Sequence, residues 1–412
     1  MAIQEVESPS PVASDPLAME AELVERARRL GPTFRARAEA TEKSRTLLKE
    51  TMAALFDTEL LRYFQPKRYG GFELEWGAQF SIGREIAKFC PATAWIASVV
   101  GSHASFVGRM KPELQDEVWG KTPDMLICTA SVARKGVKAV REKGGFRVKG
   151  QWGFASGIDH AGWGVVPVEV EGETDRYQMA VPAGEFGIVD TWFVSGMRGT
   201  GTKDILLDDV FIPEHRTLAA SVWLGANPPG ARVGKSYVYS CDFHPFVGTS
   251  LLGPLYGTAE GAFNAYVEQT RGRSSVMGGA RIDEMAPVQL RLAESGGELK
   301  AALMLIEEHI RVLRRAGNAG TPVPGAQRLE INRDRAFAAR LCLNATERLV
   351  QQLGALSLQD SNPVQRHYRD VAAMSTQIGI NWDRNLLPYA KLLLGLPTGD
   401  HHVDAELKKA AP

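Results

Sequence analysis

Hydroxyls, an imidazole and a set of aromatic rings are the groups through which this chain could do chemistry. Ser156 closes the run Gly150-Gln151-Trp152-Gly153-Phe154-Ala155-Ser156-Gly157, and a serine hydroxyl can accept a hydrogen bond while staying neutral. Small residues around it let backbone approach a planar ligand closely, although a Ser-Gly pair by itself marks a turn. Ser131 ends Cys128-Thr129-Ala130-Ser131, 25 residues before Ser156, where a serine commonly bonds its own backbone. His103 lies in Val99-Val100-Gly101-Ser102-His103-Ala104-Ser105-Phe106. A histidine on an apolar helix is usually a hydrogen-bonded core residue, yet its ordinary pKa of about 6.5 suits proton work at neutral pH. Trp95, Phe106, Trp152, Phe154 and Trp192 offer faces for a planar substrate or ordinary core. Arg271 and Arg273 close one helix and Gln289 opens the next; guanidinium grips phosphate bidentately, and cations also suit a helix C-terminus.

Other chemistries lack their residues. Gly230-Ala231-Arg232-Val233-Gly234-Lys235-Ser236 resembles a phosphate loop, but the GxxxxGK[ST] spacing needs glycine where Pro229 stands. No GxGxxG follows a strand, so any pyridine nucleotide is used by another protein. No GxSxG elbow is present. The pair His401-His402 has no carboxylate or cysteine at a metal-ligand interval, so no metal is expected.

The elements that must position these residues fall into three textures. Helical spacing of apolar residues runs from Pro16 to about Met110, punctuated by Pro66, Gly70-Gly71 and Pro91. Short strands separated by glycine and charge follow at 125–130, 138–141, 146–150, 164–170, 178–181 and 205–210, with Lys143-Gly144-Gly145 as a hairpin signal. After a Gly- and Pro-rich loop at 225–234, four long helical segments are expected near 244–270, 287–315, 327–353 and 362–396, enough for a bundle. The class is α+β: a disordered lead-in at 1–15, helices at 16–123, a β domain at 124–235 and a helical bundle at 236–412.

Composition narrows the partners. Lys+Arg and Asp+Glu are both 48, which removes the positive field that nucleic acid or a membrane surface would need and leaves a small molecule as partner. The apolar run 94–100 falls far short of the roughly 20 residues of a membrane span. Four scattered cysteines without a CxxC pair, and a start without a secretory signal, point to reduced thiols in a cytoplasm.

Three phrases in order, Pro66-Lys67-Arg68-Tyr69-Gly70-Gly71-Phe72, the Gly150 to Gly157 run, and Gly196-Met197-Arg198-Gly199-Thr200-Gly201-Thr202 followed by Val210-Phe211-Ile212-Pro213, carry a family likeness. The chain resembles the acyl-CoA dehydrogenase superfamily, specifically its two-component flavin monooxygenases, which include 4-hydroxyphenylacetate 3-hydroxylase and related phenol and indole hydroxylases. The resemblance implies an N-terminal helical domain, a central β-barrel or sandwich and a C-terminal four-helix bundle assembled as a homotetramer. It implies reduced flavin (FADH2 or FMNH2) delivered by a separate NAD(P)H:flavin reductase, molecular oxygen as co-substrate, and hydroxylation of a small aromatic through a flavin C4a-hydroperoxide. In that likeness Ser156 sits at the flavin N5 edge, Ser131 at the flavin or oxygen adduct, Trp152 and Phe154 along the ring, and Arg271 or Arg273 with Gln289 at a flavin phosphate. His103, Trp95, Phe106 and Gln377 line the substrate pocket, with His103 managing the substrate proton. Arg369-Asp370 is followed by 371–379, which holds no acid where a dehydrogenase relative needs its base, so an acyl-CoA dehydrogenase is disfavoured. N- or S-oxygenation by the same flavin chemistry is the nearer alternative.

Overall fold

The computed structural model describes residues 15–134, 136–275 and 279–410. The lead-in expected at 1–15 lies outside the described residues except for Asp15. That residue caps α1 (Pro16–Ser44): its side chain accepts the Leu17 amide at 2.9 Å, and Pro16 occupies a first-turn position where no N–H is needed. Met19, Leu23, Ala27, Phe34 and Ala38 then form the buried stripe of α1. After α2 (Lys49–Asp57), the Pro66 to Phe72 phrase makes a tight turn that ends at Gly70, whose φ of 81° suits glycine. There follow α3 (Ala78–Ala87), α4 (Pro91–Gly108), again opened by a proline, and α5 (Pro112–Trp119).

Among the described residues nine strands make two sheets. The first has the order β1 (Ile127–Thr129), β5 (Trp163–Glu169), β6 (Arg176–Pro182), β9 (Thr217–Ala219). The second has β2 (Val132–Ala133), β4 (Gly145–Ala155), β8 (Lys203–Pro213), β7 (Gly187–Val189), with β3 (Lys138–Glu142) also paired to β4. The expected hairpin is present: Glu142 pairs with Gly145 across Lys143-Gly144, and Gly144 has φ 86°. Phe146, Val148, Trp152, Val166, Val168, Ile205 and Leu207 fill the space between the sheets. β2, β7 and β9 were not expected; each is two or three residues long, too short for a period-two pattern to show.

A short helix α6 (Ala220–Leu224) and a run of turns lead to α7 (Leu252–Thr270), α8 (Ala286–Ala319) and α9 (Gly325–Leu353). The fourth long helix expected at 362–396 is two, α10 (Pro363–Ser375) and α11 (Trp382–Leu393). The break falls where Gly379 interrupts and the Asn381 side chain accepts the Arg384 amide, beginning a new helix. The first expected segment likewise shortens, since 244–251 forms tight turns before α7. A last helix, α12 (His401–Ala410), closes the described chain, and among the described residues no helix is long and apolar enough to cross a membrane.

Candidate active site

Helix α4 is almost wholly buried, but Trp95, Val99 and Phe106 keep some exposure. Their spacing places them along one side of the helix, the side that keeps access to solvent. The far end of β4 reaches that side, where Trp95 meets Ser156. Its pairing with β8 slips between Trp152 and Ala155, and Phe154 takes φ 70°. Such a bulge breaks the alternation of the strand and re-aims the residues after it. Phe154 is thereby left 51% exposed, edge-on to Trp192 with ring centroids 6.2 Å apart, while Ser156 turns inward.

Ser156 heads a chain of hydroxyls. Its Oγ receives the Trp95 Nε1–H at 3.0 Å and lies 2.8 Å from Thr202 Oγ1, which lies 2.7 Å from Thr200 Oγ1. Thr200 donates to the Met197 carbonyl at 3.0 Å. Each hydroxyl has one hydrogen, so the carbonyl at the end fixes every direction: Thr202 donates to Thr200, and Ser156 donates to Thr202. Ser156 therefore has its only donor committed, one acceptor position filled by Trp95, and one acceptor position open. The Met197 carbonyl also receives the Trp192 Nε1–H at 2.9 Å, and the Met197 amide donates to Asp370 Oδ1 at 2.5 Å. Burial pushes the Asp370 carboxyl up to about 7.

Further along α4, His103 is buried between two partners. Nδ1 lies 2.9 Å from the Ile127 carbonyl, which can only accept, so Nδ1 carries the proton of the neutral ring. Nε2 is then the acceptor and takes the Thr129 hydroxyl at 3.1 Å. Burial lowers the His103 pKa to about 4, against the smaller opposing effect of the Ile127 carbonyl, and the ring is neutral at physiological pH. Phe106 packs 5.1 Å from the imidazole and joins Trp223 and Phe243 in an aromatic wall.

The other expected site residues lie elsewhere. Trp152 is fully buried between the sheets with its Nε1–H on the Pro167 carbonyl, so it presents no face to a ligand. The alternation that brings it inside is lost only after it, at the bulge. Ser131 is exposed in the link between β1 and β2, and its hydroxyl bonds no described residue; Thr129, half-buried two residues earlier, holds the place beside His103. Gln377 folds back so that its Oε1 accepts the Gly379 amide. Arg271 and Arg273 follow α7 without a carboxylate partner among the described residues, and Gln289 donates to the Asp283 carbonyl. No described hydrogen bond or ion pair joins this group to the hydroxyl chain. Thr129, Thr200 and Thr202 all stand in phrases singled out above for other residues. The i, i+2 spacing of Thr200 and Thr202 was the one signal that they share a side.

The donor set fits a reduced flavin. An open neutral acceptor on Ser156, with Phe154 and Trp192 beside it, suits a flat ring that presents an N–H at its edge.

Helices, a two-sheet β domain and a helical bundle in this order define the acyl-CoA dehydrogenase fold class, and residues 251–382 match the family model described as acyl-CoA dehydrogenase, C-terminal domain. The chain is 31% identical over 373 residues to a flavin-dependent monooxygenase, oxygenase subunit HsaA, of Rhodococcus jostii, covering 90% of this chain and 97% of that one. It is 30% identical over 410 residues to the oxygenase component of an FADH2-dependent resorcinol hydroxylase of a Rhizobium species, covering 96% and 98%. Among solved structures, XiaF from a Streptomyces species in complex with FADH2 and glycerol superposes with a TM-score of 0.87 at 26% identity, covering 94% and 98%. The chain belongs to the oxygenase components of two-component flavin-dependent monooxygenases. It is an enzyme that takes its reduced flavin from a separate reductase.

Proposed function

We propose that this oxygenase component hydroxylates a small aromatic substrate, a phenol or an indole, using FADH2 and molecular oxygen. The observation that carries the reading is Ser156, whose hydroxyl is oriented by Trp95 and Thr202 so that one acceptor position stays open. When bound, the reduced flavin supplies activated oxygen, one atom going to the ring carbon and the other leaving as water. Ser156 accepts the flavin N5–H and keeps it from dissociating. Trp95, Phe154 and Trp192 stand beside Ser156 and exclude water. That two of the relatives above are described with FADH2 supports this form over FMNH2. Arg271 or Arg273 meets the flavin phosphates, on a neighbouring subunit of a homotetramer, which leaves both free of carboxylates in one chain. NAD(P)H is oxidised on the partner reductase.

His103 acts at the substrate hydroxyl through Thr129, whose hydroxyl bonds its Nε2. A ring with a pKa of about 4 cannot remove the proton of a phenol with a pKa of about 10, a gap of about 8 kcal/mol. It accepts a hydrogen bond instead. The substrate O–H donates to Thr129 Oγ1 while Thr129 donates to His103 Nε2, and the polarised oxygen raises electron density on the neighbouring ring carbon. Presenting the protein with reduced FAD, oxygen and a panel of phenols, indoles, amines and thioethers tests this. Ring-hydroxylated phenol or indole is expected; oxygenated amines or thioethers alone would overturn it.

A further inference from the structure

The hydroxyl chain ends on a carbonyl whose own residue is held in an unfavourable conformation. Met197 has φ 59° and ψ 27°, a left-handed geometry that costs an L residue about 1–2 kcal/mol. Its turn is docked on α10 by three contacts: Asp370 Oδ1 accepts the Met197 amide, Arg369 Nη1 donates to the Ser195 carbonyl at 2.8 Å, and Gly196 lies against the Arg369 carbonyl, where a Cβ would stand at 2.1 Å. Both neighbouring guanidiniums, Arg366 and Arg369, are engaged by Glu42 from α1. Of the hydrogen-bond donors described, the one that reaches the buried Asp370 carboxyl is the Met197 amide.

We propose that Asp370 is a positioning residue for the oxygenation: by holding the Met197 amide it sets the carbonyl that anchors Thr200, and through Thr200 and Thr202 it orients the Ser156 hydroxyl with its acceptor side open. This rests on Ser156 receiving the flavin N5–H. That hydrogen is present in reduced flavin and absent from the oxidised form, where N5 is itself an acceptor. Asp370 therefore acts on the choice between the two flavin forms, whereas a side chain that merely stabilised the fold would affect both alike.

The test is anaerobic titration of the full-length protein with reduced FAD and with oxidised FAD. Asp370→Ala is expected to weaken reduced FAD about tenfold, roughly one hydrogen bond, and to change oxidised FAD by less than about twofold. Asp370→Asn, whose Oδ1 can accept the same amide, restores the preference for reduced FAD. In a Ser156→Ala background, Asp370→Ala adds nothing, as expected of residues that act through one another. Thr200→Val cuts the chain at its middle and gives the same selective loss even if Asp370→Ala does not fold. Equal weakening of both forms, full additivity with Ser156→Ala, or an unchanged preference in Thr200→Val would overturn the proposal. If Ser156→Ala itself weakens both forms equally, the assignment of Ser156 to the flavin N5–H fails; if it is selective and Asp370→Ala is not, only the role of Asp370 fails.

Discussion

Thr202→Val removes one hydroxyl from the middle of the chain with little change of shape, and the structure gives the size of the effect. Thr202 is 3% exposed and makes two hydrogen bonds, accepting from Ser156 at 2.8 Å and donating to Thr200 at 2.7 Å. Water has little access to replace them, and an orphaned buried donor costs about 1–3 kcal/mol, so a total loss of about 2–4 kcal/mol in stability is expected. The functional effect has a definite sign. Without Thr202 the Ser156 hydroxyl hydrogen has no acceptor and turns toward the bound ring, where it meets N5. That hydrogen opposes the N–H of reduced flavin and suits the bare nitrogen of oxidised flavin. The ratio of dissociation constants, reduced over oxidised, should rise by about tenfold, equivalent to about 1.4 kcal/mol. Thermal or urea unfolding gives the first quantity and anaerobic flavin titration the second. A variant that loses stability yet keeps the wild-type ratio would refute the argument that the hydroxyl chain orients Ser156.

Other expectations follow from the same contacts. His103 should contribute no pH dependence to kcat between about 5.5 and 8, because it titrates near 4; a fall in kcat centred at about 6.5 that His103→Phe abolishes would show an imidazole in ordinary solvent. His103→Phe should lower kcat by about tenfold, roughly one hydrogen bond, while leaving flavin binding intact. His103, His309 and His367 are all lowered by burial, to about 4, 3 and 4, so the unfolded chain binds more protons than the native chain below about 6.5. Each contributes stability present above that pH and lost as pH falls toward its folded value. Asp370, raised to about 7, opposes them between about 4 and 7 with the opposite sign. Melting temperature should fall as pH drops from 6.5 to 4.5, and a rise on acidification would contradict the burial of the three imidazoles. Arg109 is fully buried, has no ion pair among the described residues and donates to the carbonyls of Trp223, Gly225, Val238 and Cys241; Arg109→Leu should cost more than about 4 kcal/mol in urea unfolding by leaving those four unpaired.

The fold was legible wherever a pattern was long enough to repeat. The stripe of α1, the proline that opens α4 and the Lys143-Gly144 hairpin are local signals with local causes. The break between α10 and α11 was written in Gly379 and Asn381 but masked by apolar residues on both sides. The site was legible as phrases and less so as residues. Ser156 meets Trp95 because a strand end and one buried helix pack together there, and His103 lies further along the same helix. Trp152 and Phe154, two residues apart, looked equivalent until the bulge left one inside and one outside. The contact between Thr129 and the imidazole spans 26 residues of chain, and no local pattern encodes it. Asp370 stands out in sequence only beside Arg369, because its partner lies 173 residues away.

The most direct test is a single turnover with oxygen-18 gas, in which the protein preloaded with reduced FAD is mixed with a phenol or indole and the products are weighed by mass spectrometry. The account predicts one labelled oxygen on the aromatic ring for each equivalent of reduced flavin consumed. Label found only in hydrogen peroxide or water, with every aromatic candidate returned unchanged, would contradict it.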